Sequence, residues 1–344
     1  MAPAPRDDDT RATIERLTAC LAGPEQAAWA VRALAIDSAI PGAGPGRVSR
    51  AQVAMALNAA LFLDLLQRVP TAARYVGRMR AAGEPIVFDH GALRTIDGST
   101  GGLPPGHGAF GRFLEPLGYE VRGLYPLPAL TMTGRAYVHA DLPASIPQFF
   151  VSELHVDQLA APAQTAAEAI FGQSADPLGE AEWAAIDAIG RDGDCSLDDA
   201  ETILRGAMRA FDRQHPVPAL ADYERLLEHS REGGWIATEG NAFNHATTRV
   251  PDVDAHAEAL KADGYPLKPT VEVSRNGRVR QTAVLADKVA RRFRLPDGGE
   301  TVRDVPGSFY EFISRDVDPD TGLLDLTFDS GNATGIFAVT RAKA

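Results

Sequence analysis

The chain has 344 residues and 45% hydrophobic content, which is enough to bury a sizeable core in one large domain or two smaller ones. Acidic residues outnumber Lys and Arg by 46 to 34, and the resulting net charge of -12 repels phosphate backbones and anionic membrane surfaces. We therefore expect no nucleic-acid or membrane partner. The same charge opposes a small anionic substrate, so such a substrate would need a local cation.

The cysteines and the N-terminus give no sign of export. Cys20 and Cys195 lie far apart and have neither disulfide nor metal-binding spacing. Residues 1–10 are rich in Pro and Asp and lack the order of basic, apolar and small residues that defines a signal peptide. The longest apolar stretch, residues 53–66, contains polar residues and is too short to span a bilayer. These features predict a reduced, cytoplasmic setting.

Helical patterning dominates the N-terminal part of the chain. Apolar residues recur at helical spacing between residues 10 and 82, which predicts a helical segment over residues 1–82. Ser49 stands just before one of these helices and is predicted as its N-cap, because a serine side chain can accept a hydrogen bond from a free amide of the first turn. After Gly83 the pattern changes to short apolar strands.

Two stretches, residues 83–156 and 233–344, show the same order of a strand, a helix and several strands. In the first, the predicted strands are Ile86–Phe88, Tyr119–Leu124, Leu130–Val138 and Ile146–Leu154, and the helix is Phe110–Leu117. In the second, the strands are Phe243–Val250, Thr270–Ser274, Arg278–Leu285, Ser308–Ser314 and Leu323–Phe328, and the helix is Val253–Ala262. The repeated order predicts an α+β fold of two similar modules, although the halves share no residue repeat.

The stretch between the two modules, residues 157–232, returns to helical patterning. It is rich in Ala and Glu, and Trp183, Ile186 and Ile189 share one helical face. We interpret this stretch as a helical insertion or lid.

Two of the eight histidines have matching positions in the two modules. His90 is predicted to close the first strand and is followed four residues later by Arg94, while His245 lies at the start of the equivalent strand. A single histidine is more often structural or at the surface than a metal ligand. The matching placement of these two in modules of like order favours a shared metal site.

A carboxylate would complete such a site, since two imidazoles and one carboxylate leave three adjacent positions on Fe(II) open for substrate and oxygen. Glu311 is one candidate because it lies in a strand that is apolar on both faces, and a buried carboxylate needs a metal or a cation. A salt bridge to Arg94 or Arg315 explains its position equally well.

Glu153 and His155 compete for the role of ligands. They are two residues apart and so lie on one face of a predicted strand, a spacing that can bring both to one metal. No third ligand stands in a similar setting near them. We interpret the pair as residues that support the ligands from behind or face an interface.

Four short motifs stand out along the chain: FDHGALRT at residues 88–95, PQFFVSEL at 147–154, NHAT at 244–247 and TGIF at 334–337. In combination they resemble the 2-oxoadipate dioxygenase/decarboxylase family, which was first known as a domain of unknown function. The likeness runs from about residue 10 to the C-terminus. It implies a fold of the vicinal-oxygen-chelate type, in which paired βαβββ modules form a curved mixed sheet around a metal site.

The resemblance also implies roles for individual residues. The family's two histidines and its glutamate match His90, His245 and Glu311, which would bind Fe(II), and its substrate-binding arginine matches Arg94. A guanidinium group can hold a carboxylate through two parallel hydrogen bonds. Longer members contact substrate through a Val-Ser pair near the C-terminus. This chain carries Gly331-Asn332 there, so these two are the candidate contacts and the exact substrate stays open.

The implied reaction is the oxidative decarboxylation and hydroxylation of a 2-oxo acid. With 2-oxoadipate and O2 the products would be 2-hydroxyglutarate and CO2, and no external 2-oxoglutarate would be required. One alternative is another metal-dependent vicinal-oxygen-chelate enzyme, such as an isomerase, a lyase or a ring-cleaving dioxygenase. A second is a non-catalytic protein that binds a small acid. The sequence leaves the oligomeric state open.

Overall fold

The computed structural model describes residues 7–329. Its N-terminal part contains four helices and a short strand. They are α1 Asp7–Ala22, α2 Pro24–Ala33, β1 Arg47–Ser49, α3 Arg50–Arg68 and α4 Pro70–Ala81. The predicted N-cap is confirmed, because Ser49 Oγ accepts a hydrogen bond from the Gln52 amide while the Gln52 side chain accepts one from the Ser49 amide. This reciprocal pair satisfies two backbone donors at the start of α3.

The remaining elements follow the predicted order. The first module comprises β2 Val87–Asp97, α5 Gly108–Leu114, β3 Tyr119–Leu127, β4 Met132–His139 and β5 Gln148–His155. The next stretch comprises α6 Ala161–Phe171, α7 Glu180–Asp192, β6 Asp194–Ser196, α8 Leu197–Ala210, α9 Leu220–His229 and α10 Arg231–Glu239. The second module comprises β7 Phe243–Arg249, α11 Val253–Ala262, β8 Glu272–Val273, β9 Val279–Ala283, β10 Lys288–Arg294, β11 Glu300–Pro306 and β12 Phe309–Arg315.

One curled sheet of eight strands joins the two modules, in the order β3-β4-β5-β2-β7-β12-β9-β8. The central strands β2 and β7 are antiparallel, while β2 is parallel to β5 and β7 is parallel to β12. Each module therefore contributes four strands in mirrored order about the junction of β2 with β7. This is the vicinal-oxygen-chelate type of α+β fold that the sequence predicted. The hairpin of β10 and β11, which the sequence analysis did not predict, lies between β9 and β12 in the chain.

Helices cover both faces of the sheet. We call the face that carries Ala92 and Arg94 the inner face and the face that carries Leu93 the outer face, because successive residues of a strand point to opposite sides. The outer face packs against α3, α4 and α11, and the larger hydrophobic cluster extends from there to α1, α7 and α8. One end of the inner face packs against α6, α9, α10 and the hairpin of β10 and β11. Residues 157–232 thus contribute helices to both clusters.

The first predicted strand is wrong in its length. β2 runs on to Asp97, so His90 lies inside the strand and does not close it. His90 and Arg94 interrupt the apolar run that marks a buried strand. They are nevertheless buried, because β5 and β7 pair with β2 on both sides, the Phe328 ring packs against His90, and Trp235 of α10 packs against Arg94.

The last predicted strand, Leu323–Phe328, is wrong, because this segment does not form a strand. Within Leu323–Phe328 only Leu324 forms a β-bridge, to Val317, and the segment continues without regular structure. Its end packs on the inner face, where the Phe328 ring contacts Phe150 and Tyr125. An apolar pattern alone does not distinguish a strand from a segment that covers a sheet.

Within residues 7–329 no single helix has the length and apolar composition needed to cross a membrane. Only α3 and α4 taken together pass such a test, and these two helices meet at a bend of 118°.

Gly91 allows the outer face to pack closely beside His90. A Cβ atom at Gly91 would lie 2.1 Å from Cζ of Phe243, whose ring belongs to an aromatic cluster with Phe149 and Phe211. We expect Gly91→Ala to lower the free energy of unfolding by about 1–3 kcal/mol, because added volume in a packed core forces the neighbours apart. Urea denaturation measures this loss.

The matched control is Gly108→Ala, because a Cβ atom at the start of α5 would meet nothing within 4 Å. This variant should stay within about 1 kcal/mol of the wild type. Equal destabilisation of both variants would contradict the assigned packing.

Candidate metal centre

Three predicted site residues meet on the inner face of the sheet. His90 comes from β2, His245 from β7 and Glu311 from β12, three adjacent strands. The Glu311 Oε2 atom lies 3.7 Å from Nε2 of His90 and 3.4 Å from Nε2 of His245. One ligand atom of each residue lies within 4.8 Å of the others, and all three side chains are buried. The three can therefore hold one metal ion.

Strand register explains why these residues converge. Thr247 of β7 pairs with His90 on one side and with Glu311 on the other. Paired residues of neighbouring strands point to the same face, so the three side chains form one row. His245 lies two residues before Thr247 and so points to the same face. The histidines are 155 positions apart in the chain, and only the pairing of β2 with β7 brings them together.

The two modules are not equivalent at the carboxylate position. In the second module, His245 pairs with Phe309, and Glu311 stands two residues further along β12. In the first module, His90 pairs with Gln148, and the residue two further along β5 is Phe150. A phenyl ring thus stands where a symmetric site would have a second carboxylate. Two histidines and one carboxylate leave further positions on a metal open for exogenous ligands.

Glu153 and His155 point away from this group. They pair with Thr95 and Asp97, whose side chains lie on the outer face. Asp97, Glu153 and His155 also form a group whose ligand atoms lie within 4.8 Å of one another. However, Glu153 forms an ion pair with Arg135, and His155 Nδ1 lies 2.8 Å from Asp97 Oδ2. Arg135 supplies a counter-charge to Glu153, and His155 is hydrogen-bonded with Asp97, so we interpret the group as a network of ion-pair and hydrogen-bond contacts.

A β-bulge precedes each histidine ligand. The pairing of β2 with β7 skips Asp89, directly before His90, and skips Asn244, directly before His245. A bulged residue leaves the regular alternation, so its side chain can lie beside that of the next residue. Asp89 Oδ1 lies 2.8 Å from Nδ1 of His90, and the Asn244 amide lies 3.0 Å from Nδ1 of His245.

These contacts orient both rings with Nε2 toward the candidate metal position. A carboxylate only accepts hydrogen bonds, so Nδ1 of His90 carries the hydrogen and Nε2 keeps its lone pair. At His245 the Nδ2 atom of Asn244 faces Nδ1, so the same arrangement requires the Asn244 side-chain amide to be turned by 180°, which brings its oxygen to Nδ1. The sequence analysis did not identify Asp89 and Asn244 as site residues. The feature of the sequence that could have identified them is a polar residue directly before each histidine.

Asp89 is held in place by two arginines as well as by His90. It accepts hydrogen bonds from Arg315 at 2.9 Å and from Arg249 at 2.8 Å. Burial alone would raise the pKa of Asp89, but Arg315, His90 and Arg249 together hold it well below its usual range. Arg315 thus pairs with Asp89, which removes one of the two salt bridges that the sequence left open for Glu311.

The electrostatics of the group fit a metal ion. Burial raises the pKa of Glu311 to about 8 and lowers the pKa values of His90 and His245. Within residues 7–329, Glu311 Oε1 and His245 Nε2 are buried without a hydrogen-bond partner. Unsatisfied buried polar atoms are costly, and a cation would satisfy both. Nitrogen and carboxylate ligands suit Fe(II) among the divalent transition metals.

Arg94 lies on the same face as His90, four residues along β2, and is fully buried. Its guanidinium carbon is 4.8 Å from the centre of the Trp235 ring on α10. Burial lowers the pKa of Arg94 to about 10, against the opposing effect of Glu232, so the group remains charged at neutral pH. Its charge also lowers the pKa of His245. The predicted substrate cation therefore lies beside the candidate metal position.

Three residues near the group were not identified from the sequence. Trp235 lies on α10, Lys268 is a buried lysine whose charge lowers the pKa of Glu311, and the Phe328 ring lies 4.8 Å from the His90 ring. None of the three lies within one of the four recognised motifs. The candidate substrate contacts Gly331 and Asn332 lie outside the described residues.

The paired βαβββ modules and the three candidate ligands define a class of protein, a vicinal-oxygen-chelate protein with a candidate metal centre. A solved glyoxalase superfamily protein from Ralstonia eutropha JMP134 is similar, with a TM-score of 0.89 and 46% identity over 92% of this chain and 98% of the other. Residues 58–319 match the family described as 2-oxoadipate dioxygenase/decarboxylase. The chain belongs to this family, and the resemblance indicated by the four motifs is confirmed.

More distant relatives carry a specific name. The chloroplastic 2-oxoadipate dioxygenase/decarboxylase of Arabidopsis thaliana is 25% identical over 309 residues, which cover 80% of this chain and 74% of the relative. The solved hydroxyglutarate synthase from Oryza sativa, in complex with 2-oxoadipate, has a TM-score of 0.64 at 22% identity and covers 83% of this chain and 90% of that one. At this identity the similarity supports only a shared fold.

Replacing Asp89 tests the buried charge network. We expect Asp89→Asn to lower the free energy of unfolding by about 3–5 kcal/mol at neutral pH, because it leaves the buried Arg315 without a counter-charge. The pKa of Asp89 is lower in the folded than in the unfolded chain. Its contribution is therefore fully present above the unfolded value of about 4 and is lost as the pH falls below it.

Denaturation of wild type and variant across this pH range measures the effect. The difference in free energy of unfolding between the wild type and Asp89→Asn should become smaller below about pH 4. The control is Glu258→Gln, which removes an exposed ion pair with Lys261 and should change stability little. A pH-independent difference for Asp89→Asn would rule out the charge as its cause.

Replacing Glu311 tests the metal ligands directly. Glu311→Gln keeps the size of the side chain but removes its charge, so we expect stoichiometric binding of Fe(II) or Mn(II) under anaerobic conditions to be lost. Binding to the wild type should weaken as the pH falls below about 8, because protons compete for the carboxylate. Metal content after dialysis and calorimetric titration measure both effects.

Glu153→Gln is the matched control, since it changes the competing carboxylate on the outer face and should leave metal binding intact. Retention of metal by Glu311→Gln together with its loss from Glu153→Gln would reverse the assignment.

Proposed function

We propose that the protein is an Fe(II)-dependent dioxygenase that decarboxylates and hydroxylates a 2-oxo acid. The leading substrate is 2-oxoadipate, which would give 2-hydroxyglutarate and CO2. The observation that carries the proposal is the convergence of His90, His245 and Glu311 beside a buried, charged Arg94. Membership of the 2-oxoadipate dioxygenase/decarboxylase family and the 2-oxoadipate complex of a distant relative support it.

The reaction balances without a further co-substrate. One oxygen atom of O2 enters the carboxylate that forms at the former keto carbon, and C1 leaves as CO2. The second oxygen atom becomes the hydroxyl group of the shortened acid. Bound iron would supply a position for O2 beside the 2-oxo acid and accept and return the electrons of this exchange.

The role of the protein is to hold the substrate in one orientation. His90, His245 and Glu311 would hold the iron, and Arg94 would bind the distal carboxylate through its two parallel donors. Because this guanidinium is packed against Trp235, it is fixed before the substrate arrives, and little entropy is lost on binding.

Aromatic side chains would shield the reacting atoms from water. The Phe309 ring lies 4.9 Å from the His245 ring, and the Phe328 ring lies 4.8 Å from the His90 ring. Phe150 stands at the carboxylate position of the first module and contacts Phe328 at a ring distance of 4.8 Å. An apolar wall around the open side of the metal would protect reactive species from side reactions.

Oxygen consumption by the iron-loaded protein tests the proposal. A panel of 2-oxo acids is supplied, and the products are identified by mass spectrometry. We expect O2 uptake and CO2 release in equal amounts with 2-oxoadipate, and no requirement for 2-oxoglutarate. Turnover that continues without O2 would indicate an isomerase or lyase instead. Ligand-induced stabilisation without any product would indicate a binding protein.

Replacing Arg94 tests the substrate anchor. Arg94→Met should raise KM for 2-oxoadipate roughly 10- to 100-fold, the range expected for the loss of a charged hydrogen bond. It should change KM little for 2-oxohexanoate, a monoacid of the same chain length. Circular dichroism and metal content check that the variant is folded and loaded. An equal loss for both acids would contradict a role at the distal carboxylate.

A further inference from the structure

Lys268 is a buried lysine in the same row of side chains as Glu311. Its amide donates to the Ala283 carbonyl at 2.9 Å, the neighbouring Leu267 pairs with Val284, and Ala283 pairs with Glu311. Residues opposite each other in antiparallel strands point to the same face. Lys268 and Glu311 therefore share the inner face with only the methyl group of Ala283 between them.

The charge of Lys268 acts on the metal group. It opposes the effect of burial on the pKa of Glu311 and contributes to the lowered pKa of His245. Lys268 itself is only 8% exposed. Burying a lysine is costly unless partners meet its charge. Such a partner would hold a positive charge in the row of Glu311.

One partner of Lys268 is Glu272, with which it forms an ion pair. The second oxygen of Glu272 accepts a hydrogen bond from Gln281, at 3.4 Å, on β9. The charge of Glu272 also acts on Glu311, whose pKa it raises while Lys268 lowers it. An ammonium group has three donors, and within residues 7–329 the contact with Glu272 uses one of them. Donors remain for an anion above the metal position.

Lys268 and Arg94 flank the candidate metal from different sides. Lys268 lies beside β9, whereas Arg94 lies on β2, and the strands β7 and β12 lie between them. Lys268 lies in the row of Glu311, next to the metal group. Arg94 lies four residues along β2 from His90, roughly 13 Å along the strand. The two cations would therefore meet different parts of a bound acid.

We infer that Lys268 binds the C1 carboxylate of the 2-oxo acid, while Arg94 binds the distal one. The inference rests on the proposed function and deepens it. A C1 carboxylate that uses one oxygen for the metal has a second oxygen free to accept a hydrogen bond from the ammonium group. Lys268 then contributes to the binding of every 2-oxo acid, whereas Arg94 selects those with a second carboxylate.

The test is anaerobic calorimetric titration of the metal-loaded protein, with Mn(II) or Fe(II), against 2-oxoadipate and 2-oxohexanoate. Lys268→Met keeps the length of the side chain and removes its charge. We expect it to raise Kd for both acids by the same factor, about tenfold or more. Arg94→Met should raise Kd only for 2-oxoadipate. Lys261→Met, which changes an exposed lysine on α11, should leave both values unchanged.

Three results would overturn the inference. Unchanged Kd values for Lys268→Met would make its pair with Glu272 merely structural. A higher Kd for 2-oxoadipate alone would mean that Lys268 binds the distal carboxylate, as Arg94 does. A loss of metal affinity, measured by titration without acid, would mean that Lys268 acts through Glu311.

Two further variants cover a failure of Lys268→Met to fold. Lys268→Arg keeps the charge and should bind both acids within a few fold of the wild type, and a large loss for both would count against the inference. Glu272→Gln removes the carboxylate that competes for the ammonium group, so both Kd values should stay the same or fall. Higher Kd values would contradict the inferred contact between the ammonium group and the C1 carboxylate. Binding without turnover in O2 would refute the proposed function while leaving the role of Lys268 measurable.

Discussion

The antiparallel pairing of β2 with β7 is the constraint on which the rest of the site depends. It places His90 and His245 on one face, although each comes from a different module. The two bulges in this pairing, at Asp89 and Asn244, place a polar side chain beside each imidazole ring. A shift of the register by one residue would turn both histidines to the opposite face. The pairing therefore determines both the position and the orientation of the ligands.

The difference between the modules leaves the candidate site with a single carboxylate. Glu311 of the second module has Phe150 as its counterpart in the first. A carboxylate at both positions would add charge and occupy another position on a metal. A phenyl ring instead borders the space where an acid and O2 would bind. With one carboxylate instead of two, the group would leave a further position on a metal open for an exogenous ligand.

The surroundings of the group compensate for the burial of so many charges. Asp89 is balanced by Arg315 and Arg249, and Lys268 by Glu272. A buried charge is tolerated when it is paired and hydrogen-bonded, and such networks hold side chains in one geometry. Helix α10 takes part as well, because its Trp235 packs against Arg94. This helix thus borders the candidate site.

The sequence by itself indicated the order of most elements, the family and four candidate residues of the site, because apolar periodicity and short motifs are local properties. It did not decide between Glu311 and Glu153 from pattern alone. The tertiary structure separates them, because Glu153 pairs with Thr95 on the outer face while Glu311 pairs with Thr247 in the row of His90. Which face a side chain occupies depends on bulges and strand register, and these arise from contacts between distant segments. The same dependence explains why Lys268 became visible only in the folded chain.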